Sequence, residues 1–248
     1  MARTPEGQAL TEQHRLQQLG IRAVTLKDLL RLWPAWNLDN PSSYDSMAAA
    51  VVLLTQARAK DSAALAARYY DLFRAVELGT LAAGAVSRAA LAAPAPVEQI
   101  RTSVDATAKA GVYRALGKGY GRERAMLQGI FNLSGAVGRH VLNGGRQTIE
   151  NAVKQDPRCL GWARVTDGDP CPFCAMLAAR GPVYKNETVR FMAHDHCGCS
   201  SEPVYENSKW PGKGREFAAL YKRVKAEKEP GEDMMAAFRR AYQARAPA

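Results

Sequence analysis

Apolar positions recur at helical spacing through much of the first 156 residues. Met47, Val51 and Leu54 form one stripe, and Leu65, Tyr69, Leu72 and Val76 form another. With Ser42 or Ser43 as N-cap, they predict one long helix reaching about Leu78. Tyr69, Tyr70 and Phe73 lie within it, and aromatics at this spacing pack into a core. Before it, residues 11–19 read as a short polar helix ending at Gly20. Thr25 can cap a second helix that runs to Trp33 and is stopped by Pro34, and residues 37–43 form a loop. Gly79 and Gly84 weaken a continuation toward Leu91, although the alanine content favours one.

Pro94 and Pro96 make residues 92–97 the clearest break in this half. Beyond it the pattern predicts helices over roughly 97–116, 122–142 and 146–154. Glycine clusters at 117–121 and 143–145 separate them. The first cluster lacks both the Walker spacing and a preceding strand, so it reads as a turn rather than a phosphate loop.

After Pro157 the texture changes. Residues 162–165, 182–184 and 203–205 read as short strands, and residues 173–180 as a short helix closed by Gly181. Residues 211–214 form a linker to two charged helices, 215–228 and 232–245, broken at Pro230 and Gly231 and expected to pack loosely or stay partly mobile. The fold class is therefore mainly α. A helical N-terminal domain (1–156) precedes a small α+β zinc-stapled module (157–206) and basic C-terminal helices (207–248).

Composition narrows the function classes. Hydrophobic residues make up 47% of the 248, enough for a core and against wholesale disorder. No apolar run approaches a membrane span, and the N-terminus has no apolar segment of the secretory type, so no membrane partner is expected. The net charge is +10, and its placement matters more than its size. Lys plus Arg against Asp plus Glu is ten to eight over 1–96 and nine to five over 97–156. It is five to six over 157–206 and ten to five over 207–248. The positive field thus flanks the module. It predicts weak, sequence-independent DNA binding by segments that include Lys222, Arg223, Lys225, Arg239 and Arg240. A solvated surface is the plainer reading of the same charge.

Four of the five cysteines and two of the four histidines fall in two knots, Cys171 to Cys174 and His194 to Cys199. Cys171 and Cys174 can chelate one ion from a single turn, and His194 with Cys197 makes a pair of similar bite. Soft thiolates with imidazole suit one structural tetrahedral zinc per chain, held by Cys171, Cys174 and two of His194, Cys197 and Cys199. The spacing leaves the choice among the last three open. Cys159 stands outside the pattern as a buried thiol. A zinc-deaminase reading of Pro170-Cys171-x-x-Cys174 fails because neither His14 nor His140 opens a His-x-Glu element. A thioredoxin-like reading fails because a turn, not a strand, precedes Cys171. A zinc hydrolase or nuclease would need an open metal position and a base, for which Asp195 and His196 are the only neighbours.

Four elements occur in a recognisable order: Gly161-Trp-Ala-Arg-Val165, Cys171-Pro-Phe-Cys174-Ala-Met-Leu177, Arg180-Gly-Pro-Val-Tyr184 and His194-x-x-Cys197-x-Cys199. This order resembles the phage Mu F-like minor head protein family, in the form found in actinobacteriophages. The match covers roughly Gly161 to Tyr205. Many members carry Pro after the histidine and Arg between the last two cysteines, where this chain has Asp195 and Gly198. The resemblance implies a non-enzymatic virion component inside the head near the portal, present in the host cytoplasm during assembly. It implies the portal protein as partner, with major capsid or scaffold protein and packaged DNA as further contacts. The residues alone imply a zinc-stapled binding protein, so a cytosolic nucleic-acid-binding regulator is the alternative.

Overall fold

Thr4, Pro5 and Glu6 open the first helix: an N-cap whose hydroxyl accepts the Gly7 N–H, a proline at the first helical position and an acid in the first turn. A computed structural model describes residues 2–79, 89–168, 170–184, 190–205 and 212–245. Helix α1 runs unbroken over Pro5–Leu32, past the break expected at Gly20. Nothing lies within 4 Å of a side chain built at Gly20, so the glycine costs only its propensity, about 1 kcal/mol. Thr25 is not a cap. It is buried in mid-helix, and its hydroxyl donates back to the Ile21 carbonyl at 2.7 Å. A short 3-10 turn, Trp33–Ala35, follows.

Helix α2 spans Ser43–Leu78 and ends on Gly79, whose φ of 65° supplies the left-handed C-cap. Residues 80–88 and Pro211, on which the continuation past Gly79 and part of the linker were expected, lie outside the described residues. The helix expected over 97–116 is divided: α3 (Val97–Val104) passes through a π turn at Asp105–Lys109 into α4 (Ala110–Gly117). Helix α5 then runs over Arg122–Gln155. The break expected at 143–145 does not occur. A Cβ on Gly144 would sit 2.2 Å from the Ala59 carbonyl oxygen, so this glycine lets α5 lie directly against the α2 backbone. Gly145 donates its N–H to Ser62 Oγ at 3.0 Å, which fixes the crossing. Leu29, Met47, Val51, Ile100, Leu133 and Val141 fill the core between these helices.

The last third forms a three-stranded antiparallel sheet with order β2-β1-β3. Strand β1 is Gly161–Val165, β2 is Val183–Tyr184 and β3 is Ser200–Val204. Trp162 pairs with Val183 on one side and Pro203 on the other. Strand β3 starts earlier than its apolar pattern predicts, because Ser200, Ser201 and Glu202 are all buried. The Glu202 carboxylate is paired there, accepting from the Ala2 N–H and the Thr11 hydroxyl. Helix α6 (Pro172–Ala178) connects β1 to β2.

Helices α7 (Gly214–Glu227) and α8 (Met234–Gln243) pack on α6, contrary to the loose tail expected from their charge. Each is strongly two-faced: Phe217, Leu220, Phe238 and Tyr242 point inward against Ala175 and Ala178. The Tyr242 hydroxyl donates to the Pro170 carbonyl at 2.5 Å, tying α8 to the start of the Cys171 knot. At the opposite seam, Asp156 follows α5 and accepts from Tyr70, Arg74 and Tyr205, binding α2, α5 and the sheet region together. No helix among the described residues is long and apolar enough to cross a membrane.

Candidate metal centre

The two cysteine knots meet beside α5. Cys171 is the N-cap of α6, and its sulfur accepts the Cys174 N–H at 3.4 Å, which points both sulfurs of the first knot the same way. The second knot lies in the turn before β3. Cys171, Cys174 and His194 form one triad of ligand atoms and Cys174, Cys197 and Cys199 a second, with Cys174 shared. His194 Nε2 lies 2.9 Å from Cys171 Sγ and 3.4 Å from Cys174 Sγ, and Cys174 Sγ lies 3.5 Å from Cys197 Sγ.

Two of these spacings approach the edges of a metal shell, while the 2.9 Å between His194 and Cys171 is that of a direct hydrogen bond. A tetrahedron with Zn–S near 2.3 Å and Zn–N near 2.0 Å has ligand-to-ligand edges of about 3.5–3.8 Å. The His194 tautomer fits as well. Nδ1 lies 2.5 Å from the Asp195 carbonyl oxygen, which can only accept, so Nδ1 carries the proton and Nε2 turns its lone pair to the sulfurs. The five sequence-predicted ligands thus fall into two triads that share Cys174, and each triad could hold a metal ion. Cys159 is not among them. It is buried, and its thiol donates to the Gly161 carbonyl.

The electrostatics favour thiolate, the ligating form, at Cys171 and Cys197 and oppose it at Cys174 and Cys199. Hydrogen bonding from the Cys174 thiol, helped by its N–H and by His194, holds the Cys171 thiol down to about 5. Cys197 is pushed well below the usual thiol range by hydrogen bonds from Cys174 and Cys199, with Arg146 adding its charge. Cys174, which donates in both triads, is pushed up. Cys199 accepts from Cys174, but its own bond to Cys197 and its burial push it up to about 12.

Two buried arginines complete the site, and sequence reading did not find them. Arg146 projects from α5 and is 3% exposed. It donates to the carbonyls of Cys197 (2.8 Å) and Cys199 (2.8 and 2.9 Å), and Nη2 lies 3.5 Å from Cys197 Sγ. Arg164 of β1 donates to the Met192 carbonyl at 2.7 Å, with Nη1 3.9 Å from Cys174 Sγ. The Phe191 ring lies between them, 4.8 Å from the Arg146 guanidinium carbon and 3.8 Å from that of Arg164. A buried cation needs paired anions nearby, and thiolates supply them. The available signal was Arg146 following the glycine pair, which was read as a helix break.

The remaining neighbours are structural. Asp195 is ion-paired with Arg139 at 2.7 Å. His196, at a φ of 64°, stacks on Phe131 with ring centroids 4.5 Å apart. Gly198 donates to Asp167 at 3.1 Å, and a Cβ there would stand 2.5 Å from the same oxygen. A side chain there would displace the Asp167 carboxylate, and the guanidinium groups near the cluster come from Arg146 and Arg164. Of the predicted DNA-binding residues, Lys222, Arg223 and Lys225 lie exposed on α7 and Arg239 and Arg240 exposed on α8. Arg240 is ion-paired with Glu232 at 2.6 Å.

Comparison with known proteins points to one family and one organism group. A family model described as VG15 protein matches residues 6–226. The chain is 30% identical over 150 residues to the Gene 15 protein of Mycobacterium phage D29, covering 46% of this chain and 54% of that protein. The chain thus spans about half the length of the curated relative it matches. No solved structure matches it.

Proposed function

This chain belongs to the VG15 protein family, and from that premise we propose that it is a minor head protein of a tailed phage. In this reading it associates with the portal and the head interior and supports head assembly or genome packaging and delivery. The observation that carries the reading is the meeting of the Cys171–Cys174 and His194–Cys199 knots in one cluster. Those are the elements whose order resembles the Mu F-like minor head proteins, and the phage origin of the similar Gene 15 protein supports the same reading.

The cluster holds one structural zinc in this proposal. Cys171, Cys174 and His194 are three of its ligands, and Cys197, whose sulfur lies 3.5 Å from that of Cys174, completes the shell. Four protein ligands close a tetrahedral shell, and zinc would supply cohesion rather than chemistry. Asp195 and His196 support a non-catalytic role, since one is engaged with Arg139 and the other stacked on Phe131. DNA contact through the exposed cations of α7 and α8 is part of the same reading, and major capsid or scaffold protein is a further candidate partner.

Two measurements test it together: size exclusion after co-expression with the portal protein of the same phage, and mass spectrometry of purified virions. A portal complex and a few copies of the chain per virion are expected. Failure of both would overturn the reading in favour of a cytosolic zinc-containing nucleic-acid-binding regulator.

A further inference from the structure

The corner between α4 and α5 has the chemistry of an anion site. Residues 109–124 hold five basic side chains (Lys109, Arg114, Lys118, Arg122 and Arg124) against one acid, Glu123. A cleft of about 240 Å³ opens there, lined by Arg114, Lys118, Tyr120, Gln128 and Asn132 above a floor of Gly111 and Ala115. No carboxylate lines it. Glu123 faces away, into a separate cavity with Asp39 and Arg122. Arg122 is itself ion-paired with Asp39 at 2.5 Å.

Arg114, in the last turn of α4, and Lys118, its C-cap, are exposed and have no acidic partner among the described residues. Facing them on α5, Gln128 Nε2 donates to Asn132 Oδ1 at 2.9 Å. That bond orients the Asn132 amide so that its NH₂ end lies near Gly111, where a Cβ would come within 3.2 Å of it. The cleft thus offers two cations and an amide donor to a ligand rich in acceptors. At its mouth the Tyr120 ring carries the Arg124 guanidinium at 4.2 Å, a half-exposed aromatic platform beside the cations. Cations with an aromatic at their edge match a nucleic-acid strand, whose phosphates take the charge while a base finds a flat face.

We infer that the α4–α5 corner is a polynucleotide-binding site, with Arg114, Lys118 and Asn132 holding backbone phosphates and Tyr120 meeting the adjoining nucleotide. The inference rests on the reading of this chain as a DNA-contacting head protein, but it places a contact separate from the cations of α7 and α8.

The test is fluorescence anisotropy of the full chain with a labelled duplex and a labelled single strand, each titrated with salt. The double variant Arg114→Gln/Lys118→Gln should lose roughly tenfold in affinity at low salt. Its log–log salt slope on duplex should become shallower by about 1.8, at roughly 0.9 per phosphate contact. Asn132→Asp, nearly isosteric, should weaken binding by placing a negative charge in the cleft. Tyr120→Leu should weaken the single strand more than the duplex. Unchanged affinity and slope in the double variant would overturn the inference, as would no binding by the parent chain. So would displacement of DNA by inorganic phosphate at the concentration at which the oligonucleotide competes, since that marks a simple anion pocket. Loss of binding only on Lys222→Gln/Arg223→Gln/Lys225→Gln would also overturn it while leaving the head-protein reading intact, which the virion and portal measurements judge separately.

Discussion

The helical body and the cysteine-bearing region are held together by different physics. Between α1, α2 and α5 the core is Leu29, Met47, Val51, Leu133 and Val141, and the glycine at 144 lets two backbones touch. Such a core is a sum of many small burials, and any one change costs a fraction of the total. The second region has a three-stranded sheet, one seven-residue helix and two buried arginines around Cys171, Cys174, His194, Cys197 and Cys199. In the proposed zinc-bound form its cohesion would be concentrated in a few metal–ligand bonds, beside the small apolar core of α6, α7 and α8. The seam between them is shared: Tyr70, Phe73, Ile149 and Val153 pack in the same cluster as Cys174, Cys197 and Cys199. The proposed zinc sets a region expected to degrade gradually against one expected to fail when its metal is lost.

The largest effect should come from the ligands. Structural zinc in small modules contributes on the order of 10–16 kcal/mol of apparent binding energy. Cys171→Ser/Cys174→Ser, or a strong chelator, should therefore unfold residues 157–245 while α1–α5 keep much of their protection, as read by hydrogen exchange. Uniform loss of protection along the chain would erase the contrast.

Next comes Arg146. Replacing it with Met leaves the Cys197 and Cys199 carbonyls without their donor and the thiolates without a counter-charge. Breaking a buried charged pair costs about 3–5 kcal/mol, so chemical denaturation should show a loss of that size. Chelator should also strip metal faster from the Met variant than from the parent.

Gly144→Ala tests the opposite region. The added Cβ meets backbone at Ala59 rather than a flexible side-chain end. Overpacking of this kind costs about 1–3 kcal/mol, with metal content unchanged. If Gly144→Ala released metal, the two regions would be one cooperative unit.

A pH effect separates them further. His14 of α1 is buried, stacked on Tyr69 at 4.3 Å, and burial holds its pKa down to about 3 from an ordinary 6.5. The unfolded chain takes up a proton near 6.5 and the folded chain only near 3. Acid therefore favours unfolding across that window, and stability should fall by about 1.4 kcal/mol per pH unit as pH drops through it. His14→Phe should remove that one-proton slope between pH 6 and pH 4, measured by urea unfolding at each pH. An unchanged slope would place the titrating group elsewhere.

Much of this was legible in sequence for physical reasons. Long helices announce themselves through period, so Met47, Val51 and Tyr69 placed α2, and Gly79 marked its end. The meeting of Cys171, Cys174, His194, Cys197 and Cys199 was legible because soft donors at chelating spacing have few other uses. What failed were features decided by tertiary contact. Gly20 and Gly144 look like helix breaks until the neighbouring helix is known. The π turn at Asp105–Lys109 leaves no compositional mark. The strand expected over 203–205 begins at Ser200 instead, with Ser200, Ser201 and Glu202 all buried. Nothing in the sequence pattern singles out Arg146 or Arg164 as part of the cluster, and only the fold shows them facing sulfur.

The account depends most on the metal. Elemental analysis of the chain purified without added zinc is the direct measurement, made beside the Cys171→Ser/Cys174→Ser variant. One zinc per chain in the parent, lost in the variant together with a large drop in thermal stability, is the predicted result. Substoichiometric metal with unchanged stability in the variant would contradict it.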